Sequence, residues 1–415
     1  MLVNRYLYPW MNATKKPAAA VSFRARAWKR LKKNKGAMAG LVIVGLSVLV
    51  GCFAYYLAPD STPSANQMVL ELSGKPPGYK ALLLGVRKQV PVPRTSAWRR
   101  LLGGAPAPYT FRPIRSFRFE GDSLHYMRYI DEDTALAESI DLLHLVYALP
   151  AGGRLVRQSN DTLFYKDGQD ALRQVTLAAL RRQIRQHQLV ERTYWLGTDT
   201  YGRDILSRII VGVRVSLSVG LVAVLISLLI GIVLGAVAGY FRGKTDEIIM
   251  WLINVVWSVP SLLLVFALTM AIGKGFWQIF MAVGLTLWVS VARIVRGQVL
   301  SLREMAYIEA SRALGLGSGR IIFRHILPNI LGPVLVIAAN NFATAIVIEA
   351  GLSFLGIGVQ PPTPSWGLML KENYGFIITH NPSLALIPGL AIMIMVLAFN
   401  LLGNGLRDAV DVKDR

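Results

Sequence analysis

The sequence predicts an all-α polytopic membrane protein with six transmembrane helices and a long insert between the first and the second. Two observations carry this expectation. Of 415 residues, 53% are hydrophobic and only 17% charged, with a mean hydropathy of +0.44, which is too apolar for a soluble chain of this length. The apolar residues are also gathered into blocks, several of which reach the roughly 20 residues that a helix needs to cross a bilayer.

The expected spans are 37–57, 215–240, 248–272, 276–292, 330–348 and 383–403. The first follows a long basic leader with no clear small-x-small site after it, so it is expected to remain as a span rather than be cleaved as a signal peptide. Pro260 falls within the third and should kink it, because proline removes a backbone donor. Asn254, Asn340 and Asn341 place amides inside spans, where such groups either bond neighbouring helices or line a path. With Pro260 they are the candidate path or gating residues.

Orientation follows from the basic residues, which are retained on the cytoplasmic side in short loops. Residues 1–36 carry ten Lys and Arg and no acid, including Arg24, Arg26, Lys29, Arg30, Lys32, Lys33 and Lys35. Placing this end inside also places Arg242, Lys244, six arginines from Arg293 to Arg324, Arg407, Lys413 and Arg415 inside, and leaves Lys274 and Lys371 in two short outside loops. Both termini are therefore expected to be cytoplasmic. The net charge of +21 follows from this topology and calls for no nucleic-acid partner, although the leader should meet anionic membrane lipid.

The chain thus divides into a basic N-terminus (1–36), a first span (37–57), an extracytoplasmic insert (58–205) and a transmembrane domain (206–415). The insert opens on Pro59, Pro63, Gly74, Pro76, Pro77 and Gly78, which reads as an irregular linker. After Asp170, the residues Leu172, Val175, Ala179, Leu180 and Ile184 recur at helical spacing against Arg173, Arg181, Arg182 and Arg185, which reads as one amphipathic helix. The single cysteine, Cys52, lies in the first span and cannot staple the insert. Its length allows a small folded domain that contacts a partner, with a spacer as the alternative.

Several chemistries are excluded. The run GYFRGKT from Gly239 to Thr245 ends like a phosphate loop, but it has three residues between its glycines where four are required, and it follows a span rather than a buried strand. Arg242 and Lys244 in it read as headgroup anchors. GLGSG at Gly315 to Gly319 lacks the dinucleotide register. The five histidines have no i, i+4 pairing of the kind that holds zinc on a helix, and no G-x-S-x-G occurs. No catalytic residue, metal or cofactor site is expected.

The polar stretch 293–329, between the fourth and fifth spans, is the most informative. Ser301 and Glu304 have capping-box spacing and should start a short helix. Gly315 supplies a left-handed stop, Gly317 and Gly319 allow a sharp turn, and Pro328 suits the start of the next span. Ala306, Ala310 and Ala313 form a small-residue stripe at i, i+4 and i+7. Glu309 and Arg312, three apart, could pair with each other or with a partner. Together they describe a rigid knob presented to something that grips it.

These residues resemble the permeases of binding-protein-dependent ABC importers, whose cytoplasmic loop carries E-A-A, three residues, G, nine residues and I-x-L-P. Glu309, Ala310 and Ser311 stand at E-A-A, Gly315 at the glycine, and Leu327 and Pro328 at L-P, with His325 at the isoleucine position. LGTDTYGRDILSRIIVGVRVSL, AGLSFLGIGVQPPTPSWG and FNLLGNGLRDAVDVK are similar to the C-component subunit of the dipeptide, oligopeptide and nickel branch. The resemblance implies the ABC importer permease fold, in a bacterial inner membrane. It also implies a coupling helix (Glu309, Ala310, Ser311, Arg312, Gly315 and Gly317) docked on one of two cytoplasmic ATPases that carry ATP-Mg. A second permease and an extracytoplasmic substrate-binding protein complete the implied assembly.

The expected activity is ATP-driven uptake of di- or oligopeptides, with nickel or another small solute as the alternative, and no ATPase site in this chain. An ion-coupled secondary transporter would need buried acids near the midplane or inverted repeats. No acid lies inside a proposed span; Glu349 lies at an outer boundary. An intramembrane enzyme would need a paired catalytic constellation, and none is present.

Overall fold

The computed structural model describes residues 23–410, except 91, 94, 150–154, 160, 167–170, 274 and 379–380. Asp170, Lys274, Lys413, Arg415 and the basic residues before position 23 lie outside the described residues. Helix α1 (Phe23–Lys33) leads through the N-cap Asn34 into α2 (Lys35–Cys52) and the short α3 (Ala54–Leu57). Leu31 and Ala37 seat this first span against Ala409 near the chain's end. At Gly40 the approach is so close that a Cβ there would stand 2.4 Å from the Ala398 carbonyl oxygen.

The segment after α3 is a folded α+β unit, which corrects the all-helical expectation for this part of the chain. Strand β1 (Tyr79–Arg87) is followed by α4 (Ala97–Gly103), β2 (Tyr109–Glu120), β3 (Ser123–Tyr129), β4 (Ala135–Asp141) and α5 (Leu142–Val146). Then come β5 (Leu155–Ser159), β6 (Thr162–Lys166), β7 (Leu172–Thr176), α6 (Leu177–Gln183) and β8 (Leu189–Tyr194). Two antiparallel sheets form, ordered β4-β3-β2-β1-β8 and β5-β6-β7. A core of Leu84, Leu124, Leu142, Leu145, Leu163, Leu180 and Ile184 joins them.

The single amphipathic helix expected after Asp170 is instead a strand followed by a helix. Val175 pairs with Leu163 across the smaller sheet, and the Thr176 hydroxyl caps α6 by accepting from the Ala179 N–H at 3.3 Å. The β-branched pair Val175 and Thr176 favours the pleated backbone, and helical spacing resumes only after this cap. The turn-rich opening carries two 3₁₀ turns, Pro63–Ala65 and Leu70–Leu72, before β1 begins.

The remaining helices form the apolar bundle. They are α7 (Ile205–Phe241), α8 (Gly243–Trp257), α9 (Ser261–Ile272), α10 (Phe276–Arg303), α11 (Ala306–Ala313), α12 (Ser318–Ile321), α13 (Leu327–Phe354), α14 (Trp366–Asn373) and α15 (Ser383–Val410). Among the described residues five helices are long and apolar enough to cross a membrane, or up to six when α8 and α9 count as one broken span. α8 and α9 meet at 92°, so the kink expected at Pro260 in the third span, 248–272, is a right-angled elbow with Pro260 as the N-cap of α9.

Several spans extend past their expected ends, the sixth to Val410. The second begins at Ile205, the fourth continues to Arg303, and the fifth runs from Ser318 to Phe354 through a π turn at Ile322–Ile326. That wider turn precedes Pro328, whose ring would meet the Arg324 carbonyl in a regular α-helix. α7 and α10 pack along Gly231, Gly235 and Gly239, where Cβ atoms would come within 2.5 to 2.8 Å of α10. Small residues four apart permit such backbone approach between membrane helices.

Candidate functional site: the loop between the fourth and fifth spans

The loop is built on two helix ends. α10 runs through Ser301, so the expected capping box does not form; Glu304 caps the C-terminus of α10 and its carboxylate accepts from Arg242. The Arg242 guanidinium holds that carboxyl below the usual glutamate range. Arg242, expected at the lipid headgroups, thus ties the α7–α8 junction to the end of α10. Arg303 adds a second tie by donating to the Tyr240 carbonyl at 2.6 Å.

α11 ends in a Schellman motif. The Leu316 N–H reaches the Ser311 carbonyl at 3.2 Å and the Gly315 N–H reaches Arg312 at 2.9 Å, with Gly315 at φ 76°, where glycine avoids the Cβ penalty. Gly317 has φ −62° as N-cap of α12, and Gly319 lies inside that helix, so neither makes the sharp turn expected of them. The chain passes directly into the fifth span.

Ile308 and Ser311 face inward. Ile308 is fully buried with Tyr240, Val295, Val299, Ile321 and Ile326, and the Ser311 hydroxyl donates to the Tyr307 carbonyl at 2.7 Å. Arg312 also turns inward, 5.1 Å above the Tyr240 ring. No described ion pair joins it to Glu309. The outward face carries Ala306, Glu309, Ala310 and Ala313, extended by Leu314 at 81% exposure and Phe323 at 72%. This is a helix fixed from beneath, with a flat face of small residues, one acid and two unburied apolar side chains.

A second constellation lies where the α+β unit meets α7; three of its residues fall in the run LGTDTYGRDILSRIIVGVRVSL, but none was expected as a site residue. Asp199 accepts from Arg203 Nε at 2.7 Å and Arg208 Nη1 at 2.5 Å, and Glu372 accepts from the same two arginines at 2.8 and 2.7 Å. Asp199, Arg203 and Arg208 are fully or almost fully buried, and Arg208 Nε and Nη2 have no acceptor among the described residues. Beside them Asp204 caps α7 through the Ser207 N–H at 2.9 Å, and burial pushes its carboxyl up. Burial also pushes the nearby Tyr194 phenol up to about 12. The available signal was two arginines opening a long apolar run, but Glu372 is far away in sequence and no periodicity links it to them.

Residues 231–413 match the family described as binding-protein-dependent transport system inner membrane component, and residues 22–77 match the N-terminal TM domain of oligopeptide transport permease C. Over 220 residues the chain is 44% identical to the glutathione transport system permease protein GsiD of Pectobacterium atrosepticum, covering 53% of this chain and 73% of that protein. The chain belongs to this family of transport permeases. The permease is also 43% identical over 224 residues to the oligopeptide transport system permease protein OppC of Bacillus subtilis, covering 54% and 73% of the two chains. It is 44% identical over 220 residues to the dipeptide transport system permease protein DppC of Alkalihalophilus pseudofirmus, covering 53% and 72%.

The expected path residues of the permease fall into two groups. Asn341 is buried between helices, accepting from Ser290 Oγ at 3.2 Å and donating to the Leu287 carbonyl at 3.3 Å. Asn340 lies at the α13–α15 crossing, where a Cβ on Gly403 would stand 2.6 Å from its Oδ1. Both sit in helix packing. Asn254 and Pro260 sit on the exposed side of the elbow. Glu349, placed by sequence at a boundary, is inside α13 and 1% exposed, accepting from Ser353 Oγ at 2.6 Å. The fifth span therefore encloses a buried acid, contrary to expectation.

Proposed function

We propose that this permease forms half of the translocation path of an ATP-driven importer of di- or oligopeptides. A second permease of the same family supplies the other half, two ATPase subunits bind ATP-Mg below, and a binding protein delivers substrate from outside. The observation that carries the coupling role is the outward face of α11: Glu309, Ala310 and Ala313 lie flat and exposed while Ile308 is locked beneath. A helix fixed from below and bare above transmits a displacement of its docked partner instead of absorbing it. The names of the relatives, for glutathione, oligopeptide and dipeptide transport systems, support the peptide class.

Counting α8 and α9 as one crossing gives six, which returns the chain to the side where it began. The basic leader and the arginines around α11 then lie in the cytoplasm, and the α+β unit lies outside with α14. The lopsided distribution of Lys and Arg supports this orientation. In energetic terms, ATP-driven closure of the two ATPases must favour one state of the path over the other, and α11 is where those differential contacts are made.

The test is reconstitution of the full complex in proteoliposomes, with uptake of a labelled dipeptide, an oligopeptide and a nickel chelate measured with and without ATP. ATP-dependent peptide uptake is expected. Uptake of the nickel chelate alone would replace the substrate class, and peptide uptake driven by an ion gradient without ATP would overturn the ABC reading. The purified permease should bind no nucleotide until an ATPase subunit is added.

A further inference from the structure

Three arginines line the inner half of α10, and two have evident partners. Arg296 makes a two-pronged pair with Asp246 at 2.5 and 2.6 Å, and Arg303 donates to the Tyr240 carbonyl. Arg293 takes part in no described ion pair. Its guanidinium lies 3.6 Å over the Trp257 ring, donates through Nη2 to the neutral Asn254 Oδ1 at 3.2 Å, and keeps an Nε with no acceptor among the described residues.

The depth of this group matters. Arg242 and Glu304 are paired, so α8 and α10 have their ends level. Arg293 stands ten residues before Arg303, and Trp257 fourteen after Gly243. At about 1.5 Å per residue these are about 15 and 21 Å from that level; the 28 residues of α10 run about 42 Å, about 12 Å more than a hydrocarbon layer of about 30 Å, so Arg293 stands just within the inner edge of that layer and Trp257 about a turn deeper. A long cation near the end of a span normally turns its head to the nearer interface. Arg293 instead follows the Cα–Cβ tilt of α10 toward the helix N-terminus, deeper into the layer and onto the elbow between α8 and α9.

The elbow is open. Trp257 is 64% exposed, and Ser258, Val259, Pro260 and Ser261 beside it are exposed as well. A cation turned from the inner edge into the layer with no counter-charge beside it is costly, which favours a role in the path of a charged species. Asn254 and Trp257 contribute no charge; they fix the plane of the guanidinium by a hydrogen bond and by stacking. The Nε is buried, so the end of the planar fork, Nη1 beside Nη2, is the donor edge that a carboxylate would meet.

We propose that Arg293, stacked on Trp257 and steadied by Asn254, is a carboxylate station in the translocation path that takes the C-terminal carboxylate of a peptide at the α8–α9 elbow. This rests on the peptide-permease reading above. The station discriminates by charge: a free peptide C-terminus is ionised at neutral pH, whereas its amide leaves the guanidinium unmatched. Side-chain identity plays no part in it, so peptides of different sequence are treated alike.

The test uses the complete complex in proteoliposomes with a free-acid peptide and its C-terminally amidated counterpart. ATP-dependent uptake of each is divided by its affinity for the binding protein. The wild type should favour the free acid. Arg293→Gln should lower uptake of the free acid about tenfold, the scale of one charge-assisted bond, and leave the amide unchanged, so that the ratio collapses toward one. Arg293→Lys should restore part of the preference, and Asn254→Ala should weaken it while retaining the cation. An equal loss for both peptides would overturn the proposal in favour of packing or of pairing with an acid on the second permease, and an unchanged ratio would remove Arg293 from the path. A wild type that imports neither peptide would sink the peptide reading itself.

Discussion

Gly235 and Ala292 meet across the α7–α10 interface so closely that a Cβ on the glycine would stand 2.5 Å from the alanine's carbonyl oxygen. No rotamer relieves such a contact, because the obstacle is backbone. Gly235→Val should force the helices apart, at a cost of about 1–3 kcal/mol or more, read as a lower melting temperature of the detergent-solubilised permease. Gly297, on the same α10, has nothing within 4 Å of its would-be Cβ. Gly297→Ala should be neutral or slightly stabilising, by about 0.5–1 kcal/mol, and equal damage from both changes would remove the close-approach explanation.

The Asp199, Glu372, Arg203 and Arg208 cluster makes a sharper claim. With all four present the buried charges offset one another; removing one acid leaves an uncompensated arginine in a dry site. Asp199→Asn should cost about 3–5 kcal/mol, measured by thermal unfolding. Combining Asp199→Asn with Arg203→Met should recover part of that loss, and strict additivity of the two changes would show that they do not share a network.

The spans and part of the loop between the fourth and fifth were legible because their signals are local. Apolar blocks, the Gly315 stop and the run from Glu309 to Ser311 are all read within a turn or two of the residues concerned. What was missed is long-range. Nothing near Asp199 announces Glu372, and nothing in 301–304 reveals that α10 overruns its lipid-spanning length and turns the expected cap into a partner for Arg242. The elbow at Pro260 was expected as a kink, since one proline tells of a lost hydrogen bond and not of the angle that packing then selects. The strand β7 was misread because Leu172, Val175 and Ala179 satisfy a helical period by chance across a strand–helix boundary.

On α11, Glu309→Lys should leave insertion and melting temperature unchanged while abolishing association with the ATPase, followed by co-purification. Leu314→Asp, on the same outward face, should act alike. Ile308→Asp lies beneath that face and should instead lower the melting temperature, because it buries an unpaired charge among Tyr240, Val299 and Ile321. The pattern fails if Ile308→Asp is folded and merely uncoupled.

In the α+β unit, Glu138 bonds Tyr126 at 2.6 Å and pairs with Arg128 and Arg112, and these partners, Tyr126 first, hold its carboxyl below the usual glutamate range. A depressed pKa contributes stability that is present above the unfolded value of 4.5 and is lost as pH falls through the folded one. Glu138→Gln should therefore lower the melting temperature at pH 7, and the gap to wild type should close progressively below about pH 4.5. A gap independent of pH would assign the effect to shape and not to charge.

The α+β unit leaves and rejoins the bundle at one place: the Asp60 N–H donates to Ser207 Oγ at 2.8 Å, and Thr198 bridges to Asp204 just before α7 begins. A unit whose two ends nearly touch enters and leaves the bundle through a gap the width of a turn. Residues 78–230 also lie between the two matched stretches of the chain. The unit thus hangs from one gap in the bundle, so a change in its length would leave the spacing of the two flanking helix ends as it is.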